Sequence, residues 1–386
     1  MGEAAELAAR AVDDAWHAHV APLIPAGQPS FDAHVHLGAD WADGSAQTPE
    51  AYLAQMDAAG VTQAFCFPFA AEHPHEYRAR NEMVLVAARA SGGRLVPFCR
   101  SEPGEGFAAE LERALDAGAR GIKLHTSHHR FEFSHPGLAD AFAIAHERRV
   151  PMIFHAGRGL QPFAPELGSL LERFPDAQLI LAHAAMADLQ RVADRFRAHP
   201  NVRFDPSLPN ALDVHALCAL VAPEQLVFGT DAPYYTVRGV QAKLLLALAR
   251  AGGGPAEVRS ALSGAAERLA RGDDAGRLRA PLGAGELRLP IDRLRAHEYL
   301  LMCIPLIWQR QPDTVGALQL ARQALHHLDA PEIDSARSLL ELAARSWAEE
   351  LASGDRREVL SVKWQTFRAV EFADALILSR GGACST

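Results

Sequence analysis

Apolar, β-branched or aromatic runs recur at residues 31–38, 61–69, 95–101, 121–126, 150–156, 178–184, 202–207 and 226–232, each followed by a stretch that reads as a helix. The helical stretches span 49–59, 79–90, 107–117, 138–148, 165–174, 188–198, 211–221 and 240–251. Strands separated by helices must run parallel, because a helical crossover returns the chain to the same end of the sheet. Eight such units match a closed α/β barrel of the (β/α)8 TIM type. The rival is an open doubly wound sheet, which would carry a glycine-rich phosphate loop after its first strand. No such loop follows residue 38.

The rhythm stops beyond residue 272. After a Gly- and Pro-containing linker, 273–290, only helical periods remain: Leu318, Ala321, Leu325 and Leu328 in one run, Leu360, Trp364, Phe367, Val370 and Ile377 in another. These spacings predict a bundle of four helices over 291–386, with loops at 311–313, 329–331 and 354–355. Residues 3–24 predict an alanine-rich lead-in helix, so the expected division is 1–29, 30–272, 273–290 and 291–386.

Polar residues end several of the apolar runs. The first, F-D-A-H-V-H-L-G, holds His34 and His36 two positions apart, on the same strand face and about 7 Å apart along the backbone. The fifth ends in His155, the sixth in His183 and the eighth in Asp231. In a barrel the C-terminal strand ends form one rim, where the active groups gather. Five such groups on one rim predict a metal site, since each alone would be costly to bury without a partner. Neutral imidazoles with a carboxylate suit Zn2+ best, with Mn2+ or Fe2+ as alternatives.

Together with G-I-K-L-H at 121–125, F-C-R-S-E-P at 98–103 and G-T-D-A-P at 229–233, this pattern resembles the amidohydrolase superfamily, and within it the amidohydrolase-2 (amidohydrolase-related) branch of metal-dependent hydrolases. The resemblance covers residues 29 to 272. It implies that His34, His36, His155 and Asp231 bind the metal and that His183 orients the attacking water or serves a second ion. Asp231 and His183 are then the catalytic pair, with Asp231 as proton shuttle. Lys123 within G-I-K-L-H is expected to point inward, as an ammonium beside a carboxylate or as a carboxylated lysine bridging two ions. One ion is the expectation and two the alternative.

The implied reaction is hydrolysis of a C–N or C–O bond in a small polar or anionic substrate. Arg100, His125, Arg130 and Arg158 follow strands three to five and are the candidate substrate contacts, with Phe131, Phe133, Tyr234 and Tyr235 as candidate pocket walls. A nonoxidative decarboxylase is the alternative, although many of those enzymes carry Glu-x-His where this chain has His34 and His36. A third reading makes the metal structural and the helical tail a homodimer or protein-partner surface.

The net charge of -9 and pI near 6.1 argue against nucleic acid or an anionic membrane as partner. Five scattered cysteines without a C-x-x-C pair argue against a disulfide framework. The acidic start of the chain is unlike a signal peptide, and no apolar run approaches a membrane span, so a cytoplasmic protein is expected.

Overall fold

The computed structural model describes residues 3–128, 131–157, 162–186, 188–283, 289–353 and 356–379, of which 350, 353 and 356–364 by backbone only. The apolar runs pair in chain order. Helix α1 (Glu3–His19) precedes β1 (Ser30–Ala39), which a short β2 (Ala46–Gln47) meets antiparallel at its end. Then follow α2 (Pro49–Ala59), β3 (Val61–Pro68), α3 (Tyr77–Ala90), β4 (Leu95–Pro97), β5 (Cys99–Arg100), α4 (Phe107–Asp116) and β6 (Ile122–Leu124). Next come α5 (Gly137–Arg148), β7 (Pro151–His155), α6 (Ala164–Arg173), β8 (Gln178–Ala182), α7 (Leu189–Phe196), β9 (Val202–Phe204), α8 (Ala211–Leu220) and α9 (Val237–Arg250). Local signals start and stop these helices. In α2, Thr48 accepts from the Ala51 N–H, Pro49 opens the first turn and Gly60 closes the last at φ 69°.

The ladders β1–β3, β3–β4, β5–β6, β6–β7, β7–β8 and β8–β9 are all parallel. β4 and β5 are one barrel strand interrupted at Phe98, whose N–H still donates to Cys66 O at 2.7 Å. The eighth run closes the barrel with few bonds: Val227 N–H donates to Phe204 O at 3.1 Å and Ala33 N–H to Phe228 O at 2.8 Å. It is not a regular strand because the Thr230 N–H goes to the Asp32 carboxylate (2.9 Å) instead of to a neighbouring carbonyl. The fold is therefore the expected TIM barrel.

Phe31, Phe65, Phe67, Phe98, Ile153, Ile180 and Val227 fill the barrel interior. Gly121 is required there, since a Cβ would lie 2.4 Å from the Phe98 ring. Past α9, a short α10 (Pro255–Arg259) runs through a π-helical turn into α11 (Ala265–Ala270), whose Ala265, Ala266 and Leu269 join that interior.

Beyond the linker the four expected helices are present: α12 (Ile291–Trp308), α13 (Ala317–Ala324), α14 (Pro331–Ser353) and α15 (Arg356–Ile377). Leu318, Ala321, Leu325, Phe367, Val370 and Ile377 are all buried, so the apolar stripes are used within the chain. Helix α15 packs on α9, and α1 packs on α14 and α15 rather than serving only as a lead-in. Buried polar contacts fasten this layer. Lys243 Nζ lies 2.7 Å from Glu371 Oε1, His297 Nδ1 lies 2.5 Å from Asp374 Oδ1, and Arg293 bonds Glu332 at 2.8 Å. No helix among the described residues is long and apolar enough to cross a membrane.

Candidate active site

Strand β1 changes phase midway. Phe31 and Ala33 belong to the barrel interior, whereas Val35 and Leu37 belong to the layer beneath the helices. A register irregularity between Asp32 and Val35 makes the change. It leaves both Ala33 and His34 facing inward, as an extra residue in one strand does. Asp32 holds the irregularity in place: its carboxylate accepts from His34 N–H (3.1 Å), Thr230 N–H (2.9 Å), Thr230 Oγ1 (2.6 Å) and Tyr52 Oη (2.6 Å). Burial pushes the Asp32 carboxyl up to about 6 against those four donors.

His34 and His36 then meet the eighth run. His34 Nε2 and His36 Nε2 lie 3.0 and 3.1 Å from the same oxygen, Asp231 Oδ1. All three side chains are buried and offer ligand atoms within 4.8 Å of one another. Asp231 sits at φ 58°, a left-handed backbone that Asp and Asn tolerate better than other non-glycine residues. Burial raises the Asp231 carboxyl, but His34 and His36 outweigh it and hold the group well below the usual carboxylate range.

Asp205, just past β9, ties two histidines together. Its Oδ2 accepts from His34 Nδ1 at 2.6 Å and from Ser207 Oγ at 3.1 Å, while Oδ1 accepts from Ser207 N–H at 2.9 Å. His183 Nδ1 is 2.9 Å from Ser207 Oγ, and His183 Nε2 is 3.0 Å from His155 Nδ1. A carboxylate can only accept, so the proton assignments follow along the chain. His34 carries a proton on Nδ1; burial and Lys123 lower its pKa, but Asp231 beside Nε2 and Asp205 beside Nδ1 outweigh them and raise it above the ordinary imidazole value. Ser207 donates to Asp205 and therefore accepts from His183 Nδ1–H. His183 Nε2 in turn accepts from His155 Nδ1–H, which leaves His155 Nε2 bare. Gly229 permits this approach, because a Cβ there would stand 2.8 Å from Asp205 Oδ1.

The structure thus joins His34, His36 and Asp231 in one cluster, and places His155 against His183. The His125 ring stacks on His155 with centroids 3.9 Å apart and on His128 at 3.9 Å. Lys123 is buried as expected, with Nζ 3.2 Å from His34 Nε2 and 4.7 Å from the Phe67 ring centroid. Burial, reinforced by Arg100 and opposed by Asp231 and Asp205, lowers the Lys123 amine to about 7.

Two expectations need correction. Arg100 is wholly buried beside the site, donating to Pro68 O at 3.3 Å and meeting His128 Nδ1 at 3.4 Å, and it does not line the cavity. Phe131 and Phe133 are also buried away from it, Phe133 stacked between Phe154 and Phe163, while Tyr234 and Tyr235 do line it. Arg130 and Arg158 lie outside the described residues.

Asp205 and Ser207 were passed over at the level of sequence. A signal existed: Asp205 ends the seventh apolar run as His155 and His183 end theirs. Asp32 carried no such signal, because its role depends on the irregular register.

Burial lowers His36, His125 and His155 well below the usual imidazole value and brings His183 down to about 4. These rings are neutral at pH 7, as ligands must be. The unfolded chain binds their protons near pH 6.5 and the folded chain does not. The associated stability is therefore complete above about pH 6.5 and is lost as pH falls, in the case of His183 down to about 4. Urea midpoints of metal-free protein measured between pH 7 and pH 5, which should fall steeply, check this.

The cavity over the cluster encloses about 430 Å³ and is lined by His34, His36, Lys123, His125, His155, His183 and Asp231 at one side and by Leu208, Tyr234, Tyr235, Ile304 and Trp308 at another. Asp40 and Asp43 also line it.

No curated protein matches the chain. Among solved structures, a TIM-barrel protein, Bb4693, from Bordetella bronchiseptica is 19% identical with a TM-score of 0.50, over 64% of this chain and 100% of that one. A Staphylococcus aureus protein provisionally named an amidohydrolase is 15% identical with a TM-score of 0.50, over 63% of this chain and 99% of that one. A 4-oxalomesaconate hydratase from Rhodopseudomonas palustris is 13% identical with a TM-score of 0.49, over 63% and 96%. At these identities the first two likenesses speak for the fold alone. The family profile described as Amidohydro_2, amidohydrolase, matches residues 16–271. With most of the chain matched and the histidines and aspartate of the rim in place, this protein belongs to the amidohydrolase family.

Proposed function

We propose that the chain is a metal-dependent hydrolase that cleaves a C–N or C–O bond of a small molecule. The observation that carries this reading is the convergence of His34 Nε2 and His36 Nε2 on Asp231 Oδ1 inside a cavity of ligand size. The donor set fits a borderline divalent cation: two buried imidazole nitrogens and a carboxylate, with His155 lining the same cavity. Zinc suits this set first, then manganese or iron. When bound, such an ion would polarise a carbonyl and make a neighbouring water acidic.

The chain's own groups supply the rest. Asp231 is held ionised and can take a proton on the oxygen that the histidines leave free. His183 lines the same cavity and would steady negative charge on the substrate oxygen in the tautomer that carries its proton on Nε2. Lys123, poised near neutrality, binds the substrate as an amine or ammonium in a one-ion site. In a two-ion site its carboxylated form would be the bridge.

Metal analysis of gently purified protein, with and without bicarbonate, combined with hydrolysis assays on aryl esters, lactones and amides, tests the reading. One ion per chain and metal-dependent ester or amide cleavage is the expected result. Two ions with bicarbonate dependence would replace the one-ion site. Carbon dioxide evolved from hydroxyaryl acids, without hydrolysis, would replace the hydrolase by a decarboxylase.

Asp205 is expected to matter through His34 and His183. In Asp205→Asn the amide oxygen at the shared position can accept from His34 Nδ1 and Ser207 Oγ, but the NH2 then opposes the Ser207 N–H, and in the flipped amide it opposes His34 Nδ1–H. Metal affinity should weaken about 10- to 100-fold, the usual cost of losing a histidine's outer partner. Chelator competition measures it, and unaltered affinity would show that Asp205 does not orient the ligand.

A further inference from the structure

The cavity above the rim is not built by the barrel alone. The last residues of α12 supply Ile304, Pro305 and Trp308 to its lining, joined by Gln309 just past the helix, a stretch that lies beyond the residues matched by the amidohydrolase family profile. Ile304 and Trp308 are four residues apart, so they share one helix face. The wall they form is braced. Phe367 meets the Trp308 ring at 5.4 Å and the Tyr235 ring at 5.5 Å, and Lys243 Nζ lies 4.8 Å from the centroid of Tyr235. Helix α12 is itself fastened to α15 by the His297–Asp374 contact and by Arg293, which donates to Ile377 O at 3.1 Å.

The wall contains no cation. Among the described lining residues Lys123 is the one Lys or Arg, whereas Asp40 and Asp43 add two carboxylates besides Asp231. A compact polyanion would meet these carboxylates and an apolar wall. An apolar ring would be desolvated against Trp308, Ile304 and Tyr235.

Resting on the hydrolase reading, we propose that the substrate carries an aryl-sized apolar group seated on the Trp308–Ile304 wall, with its cleavable carbonyl at the His34, His36 and Asp231 end. The C-terminal helices are then a specificity element of the site, and the substrate they would select is an amphipathic amide or ester.

Two hydroxamates separate the ends of the cavity: acetohydroxamate, which reaches the metal end alone, and hydrocinnamohydroxamate, which adds a phenyl ring on a two-carbon spacer. Titration calorimetry on zinc-loaded protein should show the aryl probe binding about tenfold tighter or more, as burial of a ring implies. Trp308→Ala and Ile304→Ala should each cut that margin severalfold without changing acetohydroxamate binding, and Trp308→Phe should keep most of it. The two alanine variants are independent, so misfolding of one leaves the other to decide. Equal affinities in the unsubstituted protein, or a parallel loss for both probes in the variants, would overturn the wall proposal and leave the hydrolase reading standing. Binding of the aryl probe alone, equal in zinc-loaded and chelator-stripped protein and weakened by Trp308→Ala, would support the wall and count against the metal reading.

Discussion

Asp231→Asn is expected to lower kcat by about three orders of magnitude, within the range assigned to a lost general acid–base group, while most of the metal stays bound. Asn has the same volume and tolerates the same left-handed backbone, so the φ of 58° at this position is not strained by the change. Its carbonyl can still face His34 and His36, 3.0 and 3.1 Å from the present Oδ1. What disappears is the second basic oxygen, because the amide nitrogen cannot accept a proton. Steady-state kinetics paired with metal analysis of the same sample measures both halves of the statement. Turnover within tenfold of the original at full metal content would remove Asp231 from the proton-transfer role.

Glu371→Leu is expected to destabilise the fold by about 3–5 kcal/mol, the range for breaking a buried ion pair by removing one partner. Both side chains are almost inaccessible, at 2% for Lys243 and 7% for Glu371. Without Glu371 the ammonium keeps only the carbonyls of Ser207 (2.8 Å) and Pro209 (3.1 Å). Burial still pushes the Glu371 carboxyl up in spite of Lys243, so forming the pair is itself costly. The double variant Lys243→Met, Glu371→Leu should therefore recover most of the loss. Because Lys243 also holds the loop that bears Ser207, the single variant should disturb His183 as well. Urea unfolding of the two single variants and the double variant gives the coupling, and a loss below about 1 kcal/mol in Glu371→Leu would show that the pair carries little.

Much of the architecture was legible because its signals are local. Alternation of apolar strands and amphipathic helices depends on neighbours a few residues apart, and the barrel strands fall where those patterns place them. The rim histidines and Asp231 were legible for the same reason: a polar residue closing an apolar run is visible in one dimension. The four C-terminal helices were visible through their stripes, although the stripes could not say which surface each would cover.

The rest depended on distance in the folded chain. Arg100 and Phe133 read as site residues from their place beside strand ends, but the direction of a side chain at a strand end or in a loop is set by what packs over it, and both are buried. The phase change in β1 depends on Asp32 gathering donors from Tyr52 and Thr230, one of them almost 200 positions away. The seating of α12 over the cavity was equally unreadable, since an amphipathic helix specifies that it must bury a face without specifying against what.

By itself, then, the sequence determined the barrel and the polar side chains that end its strands at the rim, which follow from short-range periodicity and strand position. Only the tertiary structure decided how the imidazoles are protonated, which aromatic groups reach the cavity and that the C-terminal helices complete its wall. Those features arise from contacts between segments far apart in the chain, where packing and hydrogen-bond geometry choose among arrangements that local pattern leaves equivalent.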